Sequence, residues 1–172
     1  MVAALELYLD TEATRRVRKL WTALEDEGIP TLASLQNERH RPHVSLTAAH
    51  RLDPDAVTAA LGDLPVGHEL TLDLDFVGQF VGRVLWLGVT VTEQLLDHHR
   101  AVHDRLTAAG VEVWEQYRPG RWVPHCTVSL RVPNPLVGPA VRRCLEVLPI
   151  RATIVGAAVT DHANDIAQPL TR

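Results

Sequence analysis

The feature that most constrains the fold is an internal repeat with a spacing of about 82 residues. The order strand, helix, strand, helix, strand occurs twice, over approximately residues 1–80 and 81–165. Gly28 and Gly110, which each end a predicted helix, mark the spacing, because 110 − 28 = 82. Two copies are too few for a solenoid. The repeat therefore predicts that residues 1–172 form a single domain of two lobes related by a pseudo-twofold axis.

The pattern of apolar residues predicts an α+β fold. Leu5, Leu7 and Leu9 alternate with other side chains, as in a half-buried strand, and apolar residues after Asp10 recur at helical spacing. Such patterns predict strands at 2–9, 41–47, 70–76, 84–91, 122–130 and 150–160, and helices that begin near Asp10, Asp53, Thr92 and Asn134. Pairs of strands with helices on one face give antiparallel sheets with helices on the outer face. We expect a central cleft between the lobes.

Composition and charge narrow the range of partners. The hydrophobic share is 46% and the formal net charge is −4, so we expect no extended nucleic-acid groove, which would need a basic surface. Arg39 and three further arginines just ahead of two histidine motifs still provide a local positive field. No apolar run is long enough to cross a bilayer, and the first residues lack a signal-peptide pattern. We therefore expect a cytoplasmic monomer that does not bind a membrane.

Two short strands carry the same polar motif at equivalent points of the repeat. In each motif a proline precedes a histidine, and a hydroxyl residue follows two positions later, at His43 and Ser45 and again at His125 and Thr127. Because side chains alternate along a strand, the histidine and the hydroxyl of each motif share one face. A pseudo-twofold axis brings equivalent residues together, so we expect the two motifs to form one site.

Two imidazoles and two hydroxyls suit chemistry at a phosphodiester. Such a reaction needs a base to activate the incoming oxygen and an acid to protonate the leaving oxygen. Histidine titrates near neutrality, so one ring can be neutral while the other is protonated. The hydroxyls of Ser45 and Thr127 can hold the non-bridging phosphate oxygens. This scheme requires no metal and no other cofactor.

The paired motif resembles the His-x-Thr/Ser signatures of the two-histidine (2H) phosphoesterase superfamily. The whole layout is similar to its 2′-5′ RNA ligase-like and 2′,3′-cyclic phosphodiesterase branch, with Ser45 where Thr is commoner. The resemblance implies a hydrolase that opens the 2′,3′-cyclic phosphate of a small nucleotide or an RNA terminus to a 2′-phosphate. It also implies that His125 is the base and His43 the acid, although the pseudo-symmetry leaves the reverse assignment open.

Three alternatives to this hydrolase remain open. RNA 2′-5′ ligase activity would use the same four side chains, although an acidic chain is less suited to a long RNA. A non-catalytic nucleotide- or RNA-binding module would keep the fold but would not need two proton-transfer groups. A zinc hydrolase would use His99 and His103, which lie four residues apart on a predicted helix. That pair lacks the Glu of an HExxH motif and an evident third ligand, which favours an ordinary helix face.

Five further residues are candidate substrate contacts. Arg41 precedes the first motif and Arg118 and Arg121 precede the second, where a guanidinium can hold a phosphate or stack on a base. Tyr8 and Trp86 lie on strand faces opposite the leucines, where a ring can stack on a nucleobase. A purely structural role is an equal or stronger interpretation of each of these residues.

Several residues near the motifs are expected to be structural. The position of Trp122 along its strand predicts that its ring lies in the core. Asp161 and His162 are expected to be an ordinary strand end, and residues 163–172 are expected to be loosely ordered. The two cysteines, Cys126 and Cys144, are interpreted as buried thiols.

Overall fold

The structure is a computed structural model that describes residues 2–35, 40–67 and 70–170, so Arg39 lies outside the described residues. In these ranges the elements are β1 (Ala3–Leu9), α1 (Thr11–Asp26), β2 (His43–Ala49), α2 (Pro54–Leu61), β3 (Thr71–Phe80), β4 (Val84–Val89), α3 (Glu93–Ala108), β5 (His125–Ser129), α4 (Val137–Leu145), β6 (Ile150–Asp161) and β7 (Ile166–Pro169). Three 3-10 turns lie in the connections, at Leu32–Ser34, Glu115–Tyr117 and Asn134–Leu136.

The strands form one antiparallel sheet of seven strands in the part of the chain that the structure describes. Its order is β2-β1-β6-β3-β4-β5, and β7 pairs with β6. The long strand β6 joins the two parts of the sheet, because its residues 154–161 pair with β1 and its residues 150–153 pair with β3. The predicted α+β class with antiparallel strands is confirmed.

The two halves of the sequence exchange their third strands. Strand β3 belongs to the first half but pairs with β4 of the second half. Strand β6 belongs to the second half but pairs with β1 of the first half. The sheet therefore has two parts, β2-β1-β6 and β3-β4-β5. Each part consists of two strands from one half of the sequence and one strand from the other half.

The predicted helix starts are largely capped as their residue types require. The side chains of Asp10, Asp53 and Thr92 each accept a hydrogen bond from an N–H in the first turn of the following helix. Asn134 instead opens a 3-10 turn, and α4 begins after it at Val137. The residues that precede the 3-10 turn and α4, Pro133 and Leu136, make no side-chain cap hydrogen bond.

Helices α1 and α4 cover one side of the sheet and close the core. Helix α1 packs on β6 and α4, and α4 packs on β3. The apolar stripe of α1, which includes Leu20, Trp21 and Leu24, is at most 2% exposed. Burying a side chain of this size stabilises the fold by roughly 1.5–3 kcal/mol. The thiols of Cys126 and Cys144 are buried as predicted.

The expectation of loose order after residue 162 was wrong for β7. Residues Ile166–Pro169 pair with β6, and the N–H of Leu170 donates to the Ala157 carbonyl at 2.9 Å. All four residues of β7 are exposed, so the strand depends on backbone pairing. An exposed strand of this length carries no pattern of alternating buried residues that the sequence could reveal.

The described helices differ from membrane spans in length and apolarity. The longest, α1 and α3, have 16 residues each and carry charged side chains. Among the described residues, no helix is long and apolar enough to cross a membrane. The cytoplasmic location and the monomeric state stay predictions.

Candidate active site

The two histidine motifs lie on the two edge strands of the sheet and line one cavity. Strands β2 and β5 end the sheet order, yet they contact each other because the sheet curves round. The cavity has a volume of about 340 Å³, and its wall includes His43, Ser45, His125 and Thr127. This volume is at the small end of the range for ligand pockets. The structure thus brings the four motif side chains together.

Side chains from outside the sheet hold β2 in place. The Trp122 indole Nε1–H donates to the Ser45 carbonyl at 3.0 Å, and its ring stacks on His99 with centroids 4.0 Å apart. His99 and His103 lie with Nε2 at 3.1 and 3.2 Å from the Leu46 carbonyl. Edge-strand carbonyls need such partners when they are buried. Trp122 is 8% exposed, which confirms its prediction as a core residue.

The same hydrogen bonds give His99 and His103, the two candidate zinc ligands, a structural role. Because a carbonyl oxygen only accepts, the Nε2 atoms of His99 and His103 carry hydrogen and act as donors. Burial lowers the pKa of His99 to about 4, and it also lowers the pKa of His103, so both rings are neutral. Across the described ranges, no group of three or more His, Cys, Asp or Glu side chains forms a metal-ligand set.

The two motif histidines are held by identical backbone contacts. His43 Nδ1 lies 2.7 Å from the Arg41 carbonyl, and His125 Nδ1 lies 2.7 Å from the Val123 carbonyl. The carbonyl in each pair lies two residues upstream, and the intervening proline restricts the backbone between carbonyl and ring. Since the carbonyl accepts, Nδ1 carries the hydrogen. Nε2 of each neutral ring therefore keeps a free lone pair.

The surroundings of His125 are aromatic. Its ring centroid lies 4.9 Å from that of Phe80 and 5.6 Å from that of Trp86. Burial lowers the pKa of His125, the hydrogen bond to Val123 opposes this shift, and the charge of His43 lowers the pKa further. His125 is therefore favoured in its neutral form at neutral pH.

The surroundings of His43 are polar and charged. Glu6 is 2% exposed, and its Oε1 lies 3.4 Å from His43 Nε2 and 2.9 Å from His162 Nε2. Burial acts to raise the pKa of Glu6, but His43 and the hydrogen bond from His162 outweigh it, so the pKa is lowered. The hydrogen bond to Glu6 in turn raises the pKa of His162, against the effect of burial. Glu6 is therefore an ionised carboxylate inside the cavity.

Sequence reasoning missed four polar or aromatic residues of the cavity wall: Glu6, His40, Tyr117 and His162. His162 follows the end of β6, as predicted, and its ring also lines the cavity and hydrogen-bonds Glu6. The one available signal was Glu6 itself, a charged residue within an otherwise uncharged strand. Strand β1 is paired on both edges, with β2 and β6, and six of its seven residues are buried.

The five weaker candidates are not part of the cavity wall, although Trp86 contacts His125 behind it. None of the described residues that line it is one of them. The Arg41 guanidinium lies 4.3 Å from the centre of the Tyr8 ring, and Arg121 pairs with Glu115 at 3.1 Å. Arg118 is exposed, and Trp86 is 7% exposed and packs against Phe80. Their role as substrate contacts stays a prediction.

Comparison with known proteins agrees with this architecture. A family model described as the 2′-5′ RNA ligase superfamily matches residues 8–166. The chain belongs to the 2′-5′ RNA ligase superfamily. The matched range includes both histidine motifs and all strands from β2 to β6. Members of this superfamily are 2H phosphoesterases, as the paired motif predicts.

Solved structures of the superfamily share the fold at low sequence identity. A structure described as a phosphoesterase is 19% identical, with a TM-score of 0.61, and the match covers 99% of this chain and 95% of that one. Apo LigT of E. coli is 17% identical with the same coverage and a TM-score of 0.61. LigT complexed with 3′-AMP is 17% identical with the same coverage and a TM-score of 0.59. No curated protein matches the chain.

Proposed function

We propose that the protein is a metal-independent phosphodiesterase that hydrolyses the 2′,3′-cyclic phosphate of a small nucleotide or RNA terminus to a 2′-phosphate. One observation carries the proposal. Two imidazoles with Nδ1 fixed on a backbone carbonyl share a cavity wall with two hydroxyls. Together these groups supply a base, an acid and two hydrogen-bond donors for the phosphate, so the scheme calls for no metal ion.

His125 acts as the base. Its Nδ1–H is held by the Val123 carbonyl, which leaves the Nε2 lone pair for a water molecule. Because burial lowers its pKa, the ring is neutral at neutral pH and able to accept a proton. As the water oxygen forms its bond to phosphorus, Nε2 takes the proton that the water loses.

His43 acts as the acid. Its protonated ring donates the Nε2 proton to the 3′-oxygen as the bond between that oxygen and phosphorus breaks, and the electron pair stays on the oxygen. The water proton taken by His125 and the proton given by His43 balance over one turnover. Afterwards both rings return to their starting states by proton exchange with solvent.

Ser45 and Thr127 hold the phosphate between the two rings. Each hydroxyl lies on the strand face of its histidine and lines the cavity. Hydroxyl donors of this kind orient the phosphorus and stabilise the charge that builds on the non-bridging oxygens.

The size of the cavity supports a small substrate or a chain end. A volume of about 340 Å³ suits one nucleotide unit better than an extended polymer. LigT of E. coli has been solved with ATP and with 3′-AMP, which are single nucleotides. These complexes support a nucleotide as the ligand class.

The proposal is tested by assay of the four nucleoside 2′,3′-cyclic phosphates in excess chelator, with the product identified by ³¹P NMR. We expect steady turnover to the 2′-phosphate, unaffected by the chelator. Tight binding of all four without turnover would favour a binding module. Joining of RNA ends in place of hydrolysis would favour a ligase, and loss of activity in chelator would favour a metal-dependent hydrolase.

A further inference from the structure

The surroundings of the two histidine motifs differ at one pair of matched positions. Glu6 of β1 lies opposite Ser45 of β2, and Trp86 of β4 lies opposite Thr127 of β5. The repeat thus places a carboxylate beside one motif and an indole beside the other. Since the motifs themselves are nearly identical, this difference is a candidate cause of different behaviour in the two histidines.

A buried carboxylate in this position needs a physical explanation. A carboxylate repels the phosphate that the site is proposed to bind, and its burial is unfavourable unless it is paired. Glu6 is 2% exposed and its charge has two partners, His162 at 2.9 Å and His43 at 3.4 Å. The contact with His43 reaches Nε2, which is the nitrogen left free by the Arg41 carbonyl.

We infer that Glu6 is a positioning residue that keeps the proton on His43 Nε2, and so makes His43 the acid of the pair, while His162 limits this effect as a competing counter-ion. The inference rests on the proposed function. An opposite charge at this distance favours the protonated imidazole. Trp86 and Phe80 give His125 no such charge, so the neutral ring is favoured there.

The role of His162 follows from the shared oxygen. Both imidazoles contact the same Glu6 Oε1, and His162 is nearer. When His162 is protonated, it screens the carboxylate from His43. Removing the charge of His162 should therefore strengthen the interaction of Glu6 with protonated His43, so that His43 keeps its proton to higher pH. Removing the charge of Glu6 should have the opposite effect, so that His43 loses its proton at lower pH.

Other titratable or charged groups also face this set. They are Tyr8 from β1, His40 and Arg41 ahead of β2, Tyr117 from its 3-10 turn, His125 from β5, and Asp161 beside His162. Burial lowers the pKa of His40, so that ring is neutral on the alkaline side of neutrality. Burial and the charge of Glu6 raise the pKa of Tyr8 to about 12 and also raise the pKa of Tyr117, so both phenols stay neutral there.

The test is the pH dependence of kcat/KM for hydrolysis of a nucleoside 2′,3′-cyclic phosphate by E6Q and H162Q. The descending, alkaline limb reports loss of the proton from the acid. We expect this limb to move to lower pH in E6Q, by about one pH unit. In H162Q we expect it to move to higher pH, by about half a unit. The ascending limb should move less in both variants.

Controls separate this role from a structural one. Glu27→Gln makes the same chemical change in an ion pair with Arg143, between α1 and α4 and away from the cavity, and should leave both limbs in place. Circular dichroism melting shows whether each variant folds. If E6Q does not fold, H162Q alone still tests the inference. The side chain of His162 is 31% exposed, so its substitution should leave the protein folded.

Two kinds of failure can be told apart. If the wild-type protein shows no turnover at any pH, the proposed function fails. If the wild type shows a bell-shaped profile but the limb stays in place, or moves in the same direction in E6Q and H162Q, the assignment of Glu6 and His162 is overturned.

Discussion

The cavity contains two copies of one motif in two different environments. His43 and His125 have the same contact through Nδ1, at the same distance of 2.7 Å, and each has a hydroxyl two residues on. Their other contacts differ, because Nε2 of His43 lies 3.4 Å from the buried carboxylate of Glu6 and the ring of His125 packs against Phe80. We propose that a duplicated motif places two equal groups at a phosphate, and that their neighbours make one ring the acid and the other the base.

The two environments also differ in how they affect the stability of the fold. The aromatic side is stabilised by burial of apolar surface, and among the described residues the buried Trp86 indole N–H has no hydrogen-bond partner there. The charged side buries Glu6, and the protein offsets this with His162, which is 156 residues away in the chain. The proposed acid of the pair, His43, therefore lies beside a buried charge that this long-range contact stabilises.

The largest expected effect comes from removing either ring. We predict that His43→Ala and His125→Ala each lower kcat for a nucleoside 2′,3′-cyclic phosphate by roughly 10²–10⁴, because each removes one proton transfer. The double variant should lose little more than either single variant, since the groups act as a unit. His50→Ala, which removes an exposed ring that contacts Trp114, is the control and should keep full activity. Near-normal kcat in either motif variant would show that the two rings do not cooperate.

The next largest effect concerns the hydroxyls. We predict that Ser45→Ala and Thr127→Ala each lower kcat/KM by about 10², as is usual when one donor to a developing oxyanion is removed. Ser45→Thr and Thr127→Ser keep the hydroxyl and should stay within a few-fold of the wild type. Equal losses in the alanine variants and in these conservative variants would mean that packing, and not hydrogen bonding, is responsible.

These motifs could be found in the sequence because their evidence is local. Proline, histidine and hydroxyl lie within four residues, and the repeat makes each copy support the other. The α+β class was predictable for the same reason, since periodicity and helix caps are read over short windows. The prediction that both motifs share one site needed only the pseudo-twofold relation between equivalent strands.

The rest of the site depends on pairing that no local pattern encodes. A strand's alternation shows which face it buries but not which strand it pairs with. Because β6 pairs with β1, His162 at the end of β6 reaches Glu6, and neither residue had a signal for this contact. β7 escaped prediction because its side chains are exposed and its partner is also β6.

A third prediction concerns the stability of the aromatic side. A Cβ added at Gly78 would lie 2.1 Å from the ring of Trp86, so Gly78→Ala must displace that ring. We predict a fall of about 1–3 kcal/mol in the free energy of unfolding, measured by urea denaturation. The matched position beside Glu6 is Ala158, and Ala158→Gly should cost only about 1 kcal/mol or less. A Gly78→Ala variant as stable as the wild type would mean that the Trp86 ring is not tightly packed against this position.

The smallest expected effect is a change in pH dependence on the aromatic side. His125 must be neutral to act as a base, and burial lowers its pKa below the ordinary 6.5. Activity is therefore lost only as the pH falls below this lowered value, and the ascending limb of the wild-type profile should have its midpoint below 6.5. Phe80→Ala exposes the ring of His125 and should move this limb to higher pH, by about half a unit.

Phe76→Ala is the control for that measurement. The Phe76 ring packs on Trp86, with centroids 5.9 Å apart, and it is the Phe80 ring that contacts His125. The ascending limb should therefore keep its position in Phe76→Ala. If both variants move the ascending limb equally, the shift is caused by general loosening of the aromatic cluster and not by exposure of His125.

The most direct test of the paired site is a crystal structure with a nucleoside 2′,3′-cyclic phosphorothioate bound in the cavity. We predict that the phosphorus lies between the two rings, with Nε2 of His125 on the side of the attacking water and Nε2 of His43 within hydrogen-bond distance of the 3′-oxygen. The hydroxyls of Ser45 and Thr127 should contact the non-bridging atoms. A phosphorus that contacts only one of the two imidazoles would contradict the account.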